Sequence, residues 1–407
     1  MFASTPISQL KFDDFWQLVA RWPGDSLRII CGGRGSSIMR IALKASSVAL
    51  EAAYSHRLCR SGQRIFDPDL WFLLPYKNAL NSSLTKAFEV FAFIEFDTSA
   101  RKITLKERKV TRPLLLDYSL EDLLKITKLP KQVASRTVQW QATETDQSYL
   151  KKVKACLNDI KAGRYYQINL LRYFDTKEPL CLHSCYENHA GPCAAWWKLP
   201  DCELVSFSPE DFVSARQTSQ GLILRAEPIK GTISVSQCET QDRKNRKILA
   251  DSVKDQAELH MIVDLMRNDL NRVCEQGSVR VLDKGSLHSF SNVHHLIAKV
   301  EGRLSKELEL AVLIEALCPA GSITGAPKIE VMQAIEEYED RPRDYFMGHV
   351  VLLDRGSSQF SSSILIRTVY TKGYDIHFAA GSGLVIGSQP ELEMEEIFHK
   401  GRVVGLK

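Results

Sequence analysis

The sequence predicts an α+β fold in which antiparallel strands pack as a sheet sandwich, with helices between groups of strands. Short runs of branched and aromatic residues are grouped with turns, whereas a parallel βαβ array would alternate strands and helices one by one. The chain has 407 residues and 44% of them are hydrophobic, so it can bury a large core. That length fits one large domain or two ordinary ones.

Residues 1–125 are predicted to be a divergent N-terminal part of the same sandwich. They contain β-like runs, such as Leu27 to Cys31 and Val90 to Phe96, separated by polar turns. The segment Gly32 to Gly35 follows one run, and a strand-ending turn explains it better than phosphate binding does. A polar stretch from Ile126 to Gln147 is the predicted boundary to a catalytic region at 146–407.

The elements of the catalytic region are predicted from hydrophobic spacing. Five apolar residues at helical spacing, followed by Gly163 as the stop, predict the first helix: Tyr149, Val153, Cys156, Leu157 and Ile160. The next predicted elements are strands at Arg164 to Phe174, Glu203 to Phe207 and Leu222 to Ala226, and an amphipathic helix from about Val253 to Val273.

Composition excludes several classes of protein. The net charge of +4 with 25% charged residues lacks the footprint of a nucleic-acid-binding protein. The N-terminus lacks the layout of a secretion signal and no apolar run reaches spanning length, so we expect a cytoplasmic protein. Ten cysteines without a CxxC pair indicate reduced thiols. The group Cys181, His183, Cys185, His189 and Cys193 does not match a zinc pattern.

Two small-residue loops could bind an anion. Gly321 to Lys328 leads into a helix with proline near its start, so free backbone N–H groups and the helix dipole would face the loop, and Lys328 would add charge. An ordinary capped turn is the alternative. A second loop, Gly381-Ser382-Gly383, precedes the last helix and could bind the same ligand from the other side.

Glutamates on two helices predict a magnesium site. Glu393 and Glu396 share a face of the last helix, and Glu258 begins the apolar stripe of the long helix. Mg²⁺ prefers hard carboxylates together with waters and substrate oxygens. A solvated helix face is the alternative explanation, which the nearby glycine loop makes less favourable.

Lys230 and Glu210 are the candidate reactive pair. Glu210 ends a strand in Ser-Pro-Glu, and Lys230 turns out of the next strand in Pro-Ile-Lys-Gly-Thr. An acid and an amine at adjacent strand ends can meet. A lone loop lysine is usually only a surface charge, so the meaning of Lys230 depends on the residues around it.

From about residue 146 to the C-terminus, nine ordered segments together closely resemble the chorismate-utilising enzyme family. They are Gly163 to Leu170, Ser208 to Glu210, Pro228 to Thr232, Glu258 with Met261 to Leu270, Asn292 to Leu296, Gly321 to Lys328, Ile366 to Thr368, Gly381 to Gly383 and the glutamate helix. The resemblance implies two antiparallel sheets packed as a sandwich and surrounded by helices.

The resemblance also implies roles for individual residues. Glu258 and Glu396, with Glu393, resemble the ligands of a Mg²⁺ ion that bridges to the ring carboxylate of chorismate. The residues that resemble substrate-binding positions are Arg367, Thr324, Gly325, His295, Gly381, Gly383 and Lys400.

Two positions indicate the reaction. Family members that add water resemble one another in having a lysine base where this chain has Gln167, and glutamine cannot accept a proton at neutral pH. Anthranilate synthases usually have alanine at the position of Lys230, whereas a lysine there resembles the aminodeoxychorismate synthase branch. In that branch the amine attacks C2, ammonia then attacks C4, and Glu210 would serve as acid and base.

The resemblance implies ammonia from a separate glutamine amidotransferase subunit, because the chain shows no glutaminase signature, and a product used for para-aminobenzoate and folate synthesis. Departures from the family pattern are Ala320 for a glycine, Ser382 between two glycines, Leu352 for a substrate-facing tyrosine and Ser361 for an aspartate. Anthranilate synthase component I and a non-catalytic chorismate-binding homologue therefore stay open as alternatives.

Overall fold

The structure is a computed structural model of the whole chain. It describes side chains for residues 75–77, 138–180, 182, 185, 193–290, 293–305, 308–353 and 359–407, and the backbone of strands elsewhere. The turn Gly32 to Gly35, residues 126–137 of the predicted boundary, and three members of the cysteine and histidine group (Cys181, His183 and His189) lie outside the described residues. Cys185 and Cys193 form no disulfide.

Strands make up most of the regular structure. In chain order they are β1 (Phe2–Pro6), β2 (Leu27–Cys31), β3 (Ile38–Ser47), β4 (Arg57–Cys59), β5 (Asp69–Leu74), β6 (Lys86–Asp97), β7 (Lys102–Arg108), β8 (Gln141–Ala142), β9 (Gln167–Thr176), β10 (Ala195–Leu199), β11 (Cys202–Ser206), β12 (Asp211–Thr218), β13 (Gly221–Ala226), β14 (Ile229–Ser234), β15 (Arg280–Ser289), β16 (Val293–Arg303), β17 (Glu307–Glu309), β18 (Gly325–Ala326), β19 (His349–Asp354), β20 (Gln359–Ile364), β21 (Thr368–Lys372) and β22 (Asp375–Val385).

The strands form two antiparallel arrays that meet at the long strand β6. One array runs β9–β22–β21–β11–β10–β2–β3–β6, and the other continues from β6 through β5–β19–β20–β12–β13–β16 to β14 and β15. A separate ribbon joins β4 and β17. One buried cluster contains apolar side chains from both arrays, including Trp197 and Phe378 from the first and Leu224 and Val350 from the second. The predicted α+β sandwich is therefore confirmed.

Helices lie between the strand groups, as the sequence predicts. They are α1 (Asp146–Lys161), α2 (Glu239–Ala250), α3 (Val253–Asn271), α4 (Leu310–Leu317), α5 (Lys328–Tyr338) and α6 (Pro390–Gly401). Thr145 caps α1 through its side chain, and Gly163 adopts φ of +80° just after the helix ends. The five predicted apolar residues of α1 are all buried. None of the helices in the described ranges is both long and apolar enough to cross a membrane.

The N-terminal strands pair directly with strands of the catalytic region. Residues 27–31 pair with Ala195–Leu199, and Asp69–Leu74 pairs with His349–Asp354. The predicted strand at Arg164 to Phe174 begins three residues later than expected, at Gln167, because Gly163 and the residues after it form the turn out of α1. This later start leaves Gln167 as the first residue of β9.

Candidate active site

Lys230 lies at a bulge in β14. It is opposite Leu296 of β16, but the next paired residue is Thr232, so Gly231 is an extra residue in the strand. Gly231 has φ of +68°, and a Cβ there would lie 2.7 Å from Leu249 Cδ1. The bulge therefore requires glycine, and it sets the direction of the Lys230 side chain.

The Lys230 amine makes no hydrogen bond with the described residues. The residue is half-buried, and no hydrogen bond or ion pair of its Nζ is present among the described residues. Its charge acts on the Glu258 and Glu396 carboxylates. The sequence prediction that Lys230 lies among the glutamates of two helices is thus supported by their electrostatic contact.

The three candidate magnesium ligands differ in exposure. Glu393 is 6% exposed, and the side chains of Glu258 and Glu396 are 15% and 49% exposed. Burial raises the pKa of Glu258, with the Lys230 and Lys254 ammonium groups opposing the rise and Glu393 adding to it. Burial also acts to raise the pKa of Glu396, but the Lys400, Lys230 and Lys254 ammonium groups outweigh it and lower that pKa.

The donor set suits a hard cation whose shell is completed from outside the protein. In the described ranges, no three His, Cys, Asp or Glu side chains form a metal site by themselves. Glu393 is nevertheless buried and Glu258 is only 15% exposed, and the Glu393 charge adds to the raised pKa of Glu258, so the two carboxylates lie near each other. Mg²⁺ characteristically uses one or two carboxylates together with waters and substrate oxygens, so these residues fit it.

Arg367 interacts electrostatically with two acidic residues of the site, Glu210 and Glu396. It adopts φ of +51°, an unusual conformation for a residue with a side chain, in the connection from β20 to β21. Its side chain is solvent-accessible, yet desolvation lowers its pKa, with Glu210 and Glu396 opposing the shift.

Glu210 does not end β11, as the sequence predicts, but lies in the connection to β12, directly before Asp211, where backbone hydrogen bonds fix it. Its N–H donates to the Ser208 hydroxyl at 3.2 Å, and its carbonyl accepts from the Ile364 N–H at 3.4 Å. Ser208 is fully buried, so the turn is anchored in the core. The electrostatic contact between Glu210 and Arg367 puts Glu210 at the edge of the same site.

Gln167 borders the space next to Lys230. Its side chain is fully buried, and neither Oε1 nor Nε2 has a hydrogen-bond partner. A Cβ on Gly383 would lie 2.9 Å from Gln167 Nε2 and 3.7 Å from Lys230 Nζ. The carboxamide and the amine therefore face one small space, which exists because position 383 is glycine.

The loop before α5 closes against the start of β9. Gly325 has φ of +147°, and a Cβ there would lie 2.0 Å from the Gln167 carbonyl oxygen, so only glycine fits. The Thr324 hydroxyl donates to the Ala320 carbonyl at 2.9 Å and is fully buried. Lys328 donates to Asp269 at 2.7 Å. Lys328, which the sequence predicts to add charge to this loop, is therefore paired with a carboxylate of α3.

Lys400 and His295 make hydrogen bonds with other residues around the site. Lys400 Nζ donates to the Gly381 carbonyl at 2.7 Å and pairs with Glu396 at 2.7 Å, so it joins α6 to β22. His295 Nδ1 lies 2.9 Å from the Thr232 hydroxyl, on the turn that carries Lys230. Asn292, in the same motif as His295, lies outside the described residues.

Two residues near the site were not singled out from the sequence. Lys254 lies 3.9 Å from Glu258 and one helical turn before it, a spacing that could have identified it. Asn169 follows Gln167 by two positions on β9, so strand alternation could have predicted that both side chains share a face. Neither residue carries a motif of its own.

Two of the positions that differ from the family pattern, Leu352 and Ser361, are neighbours in the structure. These two residues lie directly opposite each other in the pairing of β19 with β20. Opposite residues of an antiparallel pair contact each other on the same face. The tyrosine and aspartate common in the family would meet at this position, and here an apolar side chain meets a small hydroxyl.

Comparisons with known proteins extend the likeness beyond these motifs. Residues 44–404 match the family model described as chorismate binding enzyme, so the likeness begins well before residue 146. Aminodeoxychorismate synthase component 1 of Salmonella typhimurium is 32% identical over 356 residues, or 82% of this chain and 76% of that protein. Anthranilate synthase component 1 of Bacillus pumilus is 34% identical over 256 residues, or 62% of this chain and 49% of that protein.

The fold agrees with solved structures at low sequence identity. The menaquinone-specific isochorismate synthase of Escherichia coli superposes with a TM-score of 0.76 at 18% identity, covering 100% of this chain and 94% of that one. This likeness establishes the two-layer architecture alone.

Proposed function

This chain belongs to the chorismate binding enzyme family, and we propose that it aminates chorismate at C4 to give 4-amino-4-deoxychorismate. One observation carries the proposal. The Lys230 amine has no hydrogen bond, and it faces glutamates on two helices and the buried Gln167 carboxamide. A lysine nucleophile beside a glutamine fits covalent amination better than addition of water, because glutamine cannot act as a base.

The first step forms a bond between the Lys230 nitrogen and C2 of chorismate. Both conjugated ring double bonds shift, from C1=C2 to C1=C6 and from C5=C6 to C4=C5, and the bond from C4 to its hydroxyl oxygen breaks. Glu210 donates a proton to the departing oxygen, so water leaves, and it then takes a proton from the new C2 ammonium. The product is an adduct of enzyme and chorismate that has lost one water.

The second step replaces the lysine by ammonia. Ammonia forms a bond to C4, both conjugated double bonds shift back to C5=C6 and C1=C2, and the bond between C2 and the Lys230 nitrogen breaks. Glu210 moves one proton from the incoming nitrogen to the departing one, which restores the amine. Because Lys230 occupies C2 during this step, ammonia adds only at C4.

Arg367 is the proposed partner of a substrate carboxylate. Its guanidinium is always charged, solvent-accessible and desolvated, and these properties favour a planar anionic group that fits its fork of donors. The sequence prediction of a loop at Gly381 to Gly383 is wrong, because these residues lie within β22 and pair with β9. Glycines at 381 and 383 in this strand would allow the ring to approach the backbone.

Glu258, Glu393 and Glu396 are the proposed ligands of Mg²⁺. When bound, the ion would neutralise the ring carboxylate and stabilise the charge that develops as the double bonds shift. This assignment is supported by the burial of Glu393, by the 15% exposure of the Glu258 side chain and by the effect of the Glu393 charge on the pKa of Glu258.

A separate glutamine amidotransferase subunit is the proposed source of ammonia. The designation "component 1" of the Salmonella relative supports assembly with a second component. The product would then serve para-aminobenzoate and folate synthesis after removal of pyruvate by a lyase.

Incubation with chorismate, Mg²⁺ and an ammonium salt tests the function. We expect mass spectrometry to detect 4-amino-4-deoxychorismate, and 4-aminobenzoate to form only after a lyase is added. A reaction without Mg²⁺ is the control. Direct formation of fluorescent anthranilate would instead assign amination at C2, and tight chorismate binding without turnover would indicate a non-catalytic homologue.

A further inference from the structure

Two buried carboxamides on one face of β9 are left without partners. Gln167 and Asn169 are two residues apart, so their side chains point to the same side of the strand. They are 0% and 7% exposed, and neither Gln167 Oε1, Gln167 Nε2 nor Asn169 Oδ1 has a hydrogen-bond partner. A buried polar atom without a partner costs about 1–3 kcal/mol, so three of them together point to a missing ligand.

Gly383 of the neighbouring strand β22 leaves space for that ligand. A Cβ on Gly383 would lie 2.9 Å from Gln167 Nε2, and one on Gly381 would lie 3.0 Å from Asn169 Oδ1. The position at Gly381 is crowded, because a Cβ there would also lie 2.5 Å from the Leu170 carbonyl oxygen and 2.8 Å from Leu171 Cδ2. At Gly383 the nearest atoms are those of the Gln167 carboxamide and Lys230 Nζ, so the space for a ligand lies on this side. Lys230 Nζ, 3.7 Å from the Cβ position at Gly383, borders the same space.

The three atoms without partners favour a small ligand that donates hydrogen bonds. Two of the three are carbonyl oxygens, which accept hydrogen bonds and repel a carboxylate. Ammonia has three N–H donors and one lone pair. Oxygens that accept its hydrogens hold the nitrogen while leaving the lone pair free to attack carbon.

We propose that the Gln167 and Asn169 carboxamides form the ammonia-binding site, with Gln167 holding the nitrogen beside Lys230. This inference rests on the proposed amination of chorismate. It assigns Gln167 a positive role: the residue binds the nucleophile that replaces Lys230, in addition to lacking the basicity needed to activate water.

Steady-state kinetics with ammonium chloride test the site, at fixed pH and with saturating chorismate and Mg²⁺. In Gln167→Met, which keeps the length of the side chain without its polar atoms, we expect the KM for ammonia to rise about tenfold. The KM for chorismate should change less than twofold. Asn169→Leu should raise the KM for ammonia in the same direction by about threefold.

Ser382→Ala is the matched control. Ser382 is fully buried and its hydroxyl also lacks a partner, but it pairs with Leu170 and so points to the opposite face of the sheet. Its KM for ammonia should equal that of the wild type. A similar rise in this variant, or an unchanged KM in both carboxamide variants, would overturn the ammonia site.

Intact-protein mass spectrometry separates this inference from the proposed function. Without ammonia, wild type and Gln167→Met should both accumulate the enzyme adduct of chorismate minus water, since the first step does not use ammonia. An adduct in wild type but not in Gln167→Met would assign Gln167 to the first step and overturn the site. A wild-type enzyme that yields no C4-aminated product would overturn the function itself.

Discussion

Two neighbouring regions on the same face of β9 differ in whether their buried polar groups are hydrogen-bonded. At Tyr173, every group is paired: its hydroxyl donates to Glu339 at 2.6 Å, and Arg343 donates to both Glu339 oxygens and to the carbonyls of Ile323 and Asn169. At Gln167, six residues earlier, the buried carboxamide has no partner. We call the first group the arginine network, and the second, with Lys230, the open site.

The hydrogen-bonded groups of the arginine network stabilise the fold, whereas the unpaired groups of the open site are available to bind a ligand. A satisfied buried network rigidifies the protein, and losing one member leaves a charge or a donor unpaired. An unsatisfied buried group costs stability in the free protein, so its removal should affect chemistry more than folding. The same strand therefore connects a rigid support to a reactive space.

Lys230→Ala should produce the largest effect and leave stability nearly unchanged. We expect C4 amination to fall roughly 10⁴-fold or more, because the covalent nucleophile is lost. The free energy of unfolding should change by less than about 0.5 kcal/mol, since no hydrogen bond of Lys230 is broken. Product analysis and urea unfolding measure the two quantities.

Lys254→Ala is the matched control for Lys230→Ala. Lys254 also lies near Glu258, but it is more exposed and has no proposed covalent role, so amination should fall less than about tenfold. Mg²⁺-dependent binding of chorismate by Lys230→Ala should persist in calorimetry. Amination at the wild-type rate in Lys230→Ala would rule out the covalent mechanism.

Arg343→Met should show the opposite behaviour. Arg343 and Glu339 have side chains only 1% and 3% exposed, so removal of the guanidinium leaves a buried carboxylate unpaired. We expect a loss of about 3–5 kcal/mol in the free energy of unfolding, measured by urea denaturation. Adding Glu339→Gln, which keeps an acceptor for Tyr173 but removes the charge, should restore part of it. A loss below about 1 kcal/mol would show that the network does not support the fold.

Gly231→Ala should combine both kinds of effect. A Cβ at this position would lie 2.7 Å from Leu249 Cδ1, and the positive φ is itself unfavourable for alanine. We expect a loss of about 2–3 kcal/mol in stability and slower amination, because Lys230 is displaced.

Gly163→Ala is the control for steric conflict at Gly231. Gly163 also has a positive φ, but nothing lies within 4 Å of the added Cβ, so the cost should be about 1 kcal/mol. Equal losses in the two variants would mean that backbone strain alone, without the contact to Leu249, determines the requirement for glycine.

Asp175→Asn should have the smallest effect, confined to acid pH. Burial acts to raise the pKa of Asp175, but the hydrogen bond to His377 and the Arg341 guanidinium outweigh it and lower the pKa. A lowered folded pKa stabilises the protein above the unfolded value of about 3.9, and this stability disappears as pH falls through the folded value. Asp175 is 36% exposed, so solvent screening keeps the contribution small.

Urea unfolding between neutral and acid pH measures the contribution of Asp175. The wild type should lose stability more steeply than Asp175→Asn as pH falls below about 4. Asp375→Asn is the control, because Asp375 makes only a long contact of 3.9 Å with the exposed Lys177. Identical acid slopes for wild type and Asp175→Asn would contradict the lowered pKa.

Much of the secondary structure could be predicted because local signals agree with it. The apolar spacing of α1 agrees with its cap at Thr145 and its stop at Gly163. The long helix was predicted to end at Val273 and ends at Asn271. Strand positions were less accurate, as for β9, because the limits of a strand depend on its pairing partners.

The candidate site was predictable only where residue type and order carry the chemistry. Lys230, Glu210 and the glutamates could be identified because their motifs follow one another in the chain. The salt bridge between Lys328 and Asp269 could not be predicted, because Asp269 lies 59 residues earlier in the chain. A partner so distant in sequence leaves no local pattern.

The sequence by itself determined the type of fold, the helix limits and the identity of the acidic and basic residues, because short-range spacing and capping govern them. Only the tertiary structure decided which buried polar groups are satisfied. The pairing of β9 with β22 brings Gln167 beside Gly383, and the bulge in β14 brings Lys230 to the same space. Strand register and bulges depend on contacts between distant segments, so an unpaired buried carboxamide becomes visible only after the chain has folded.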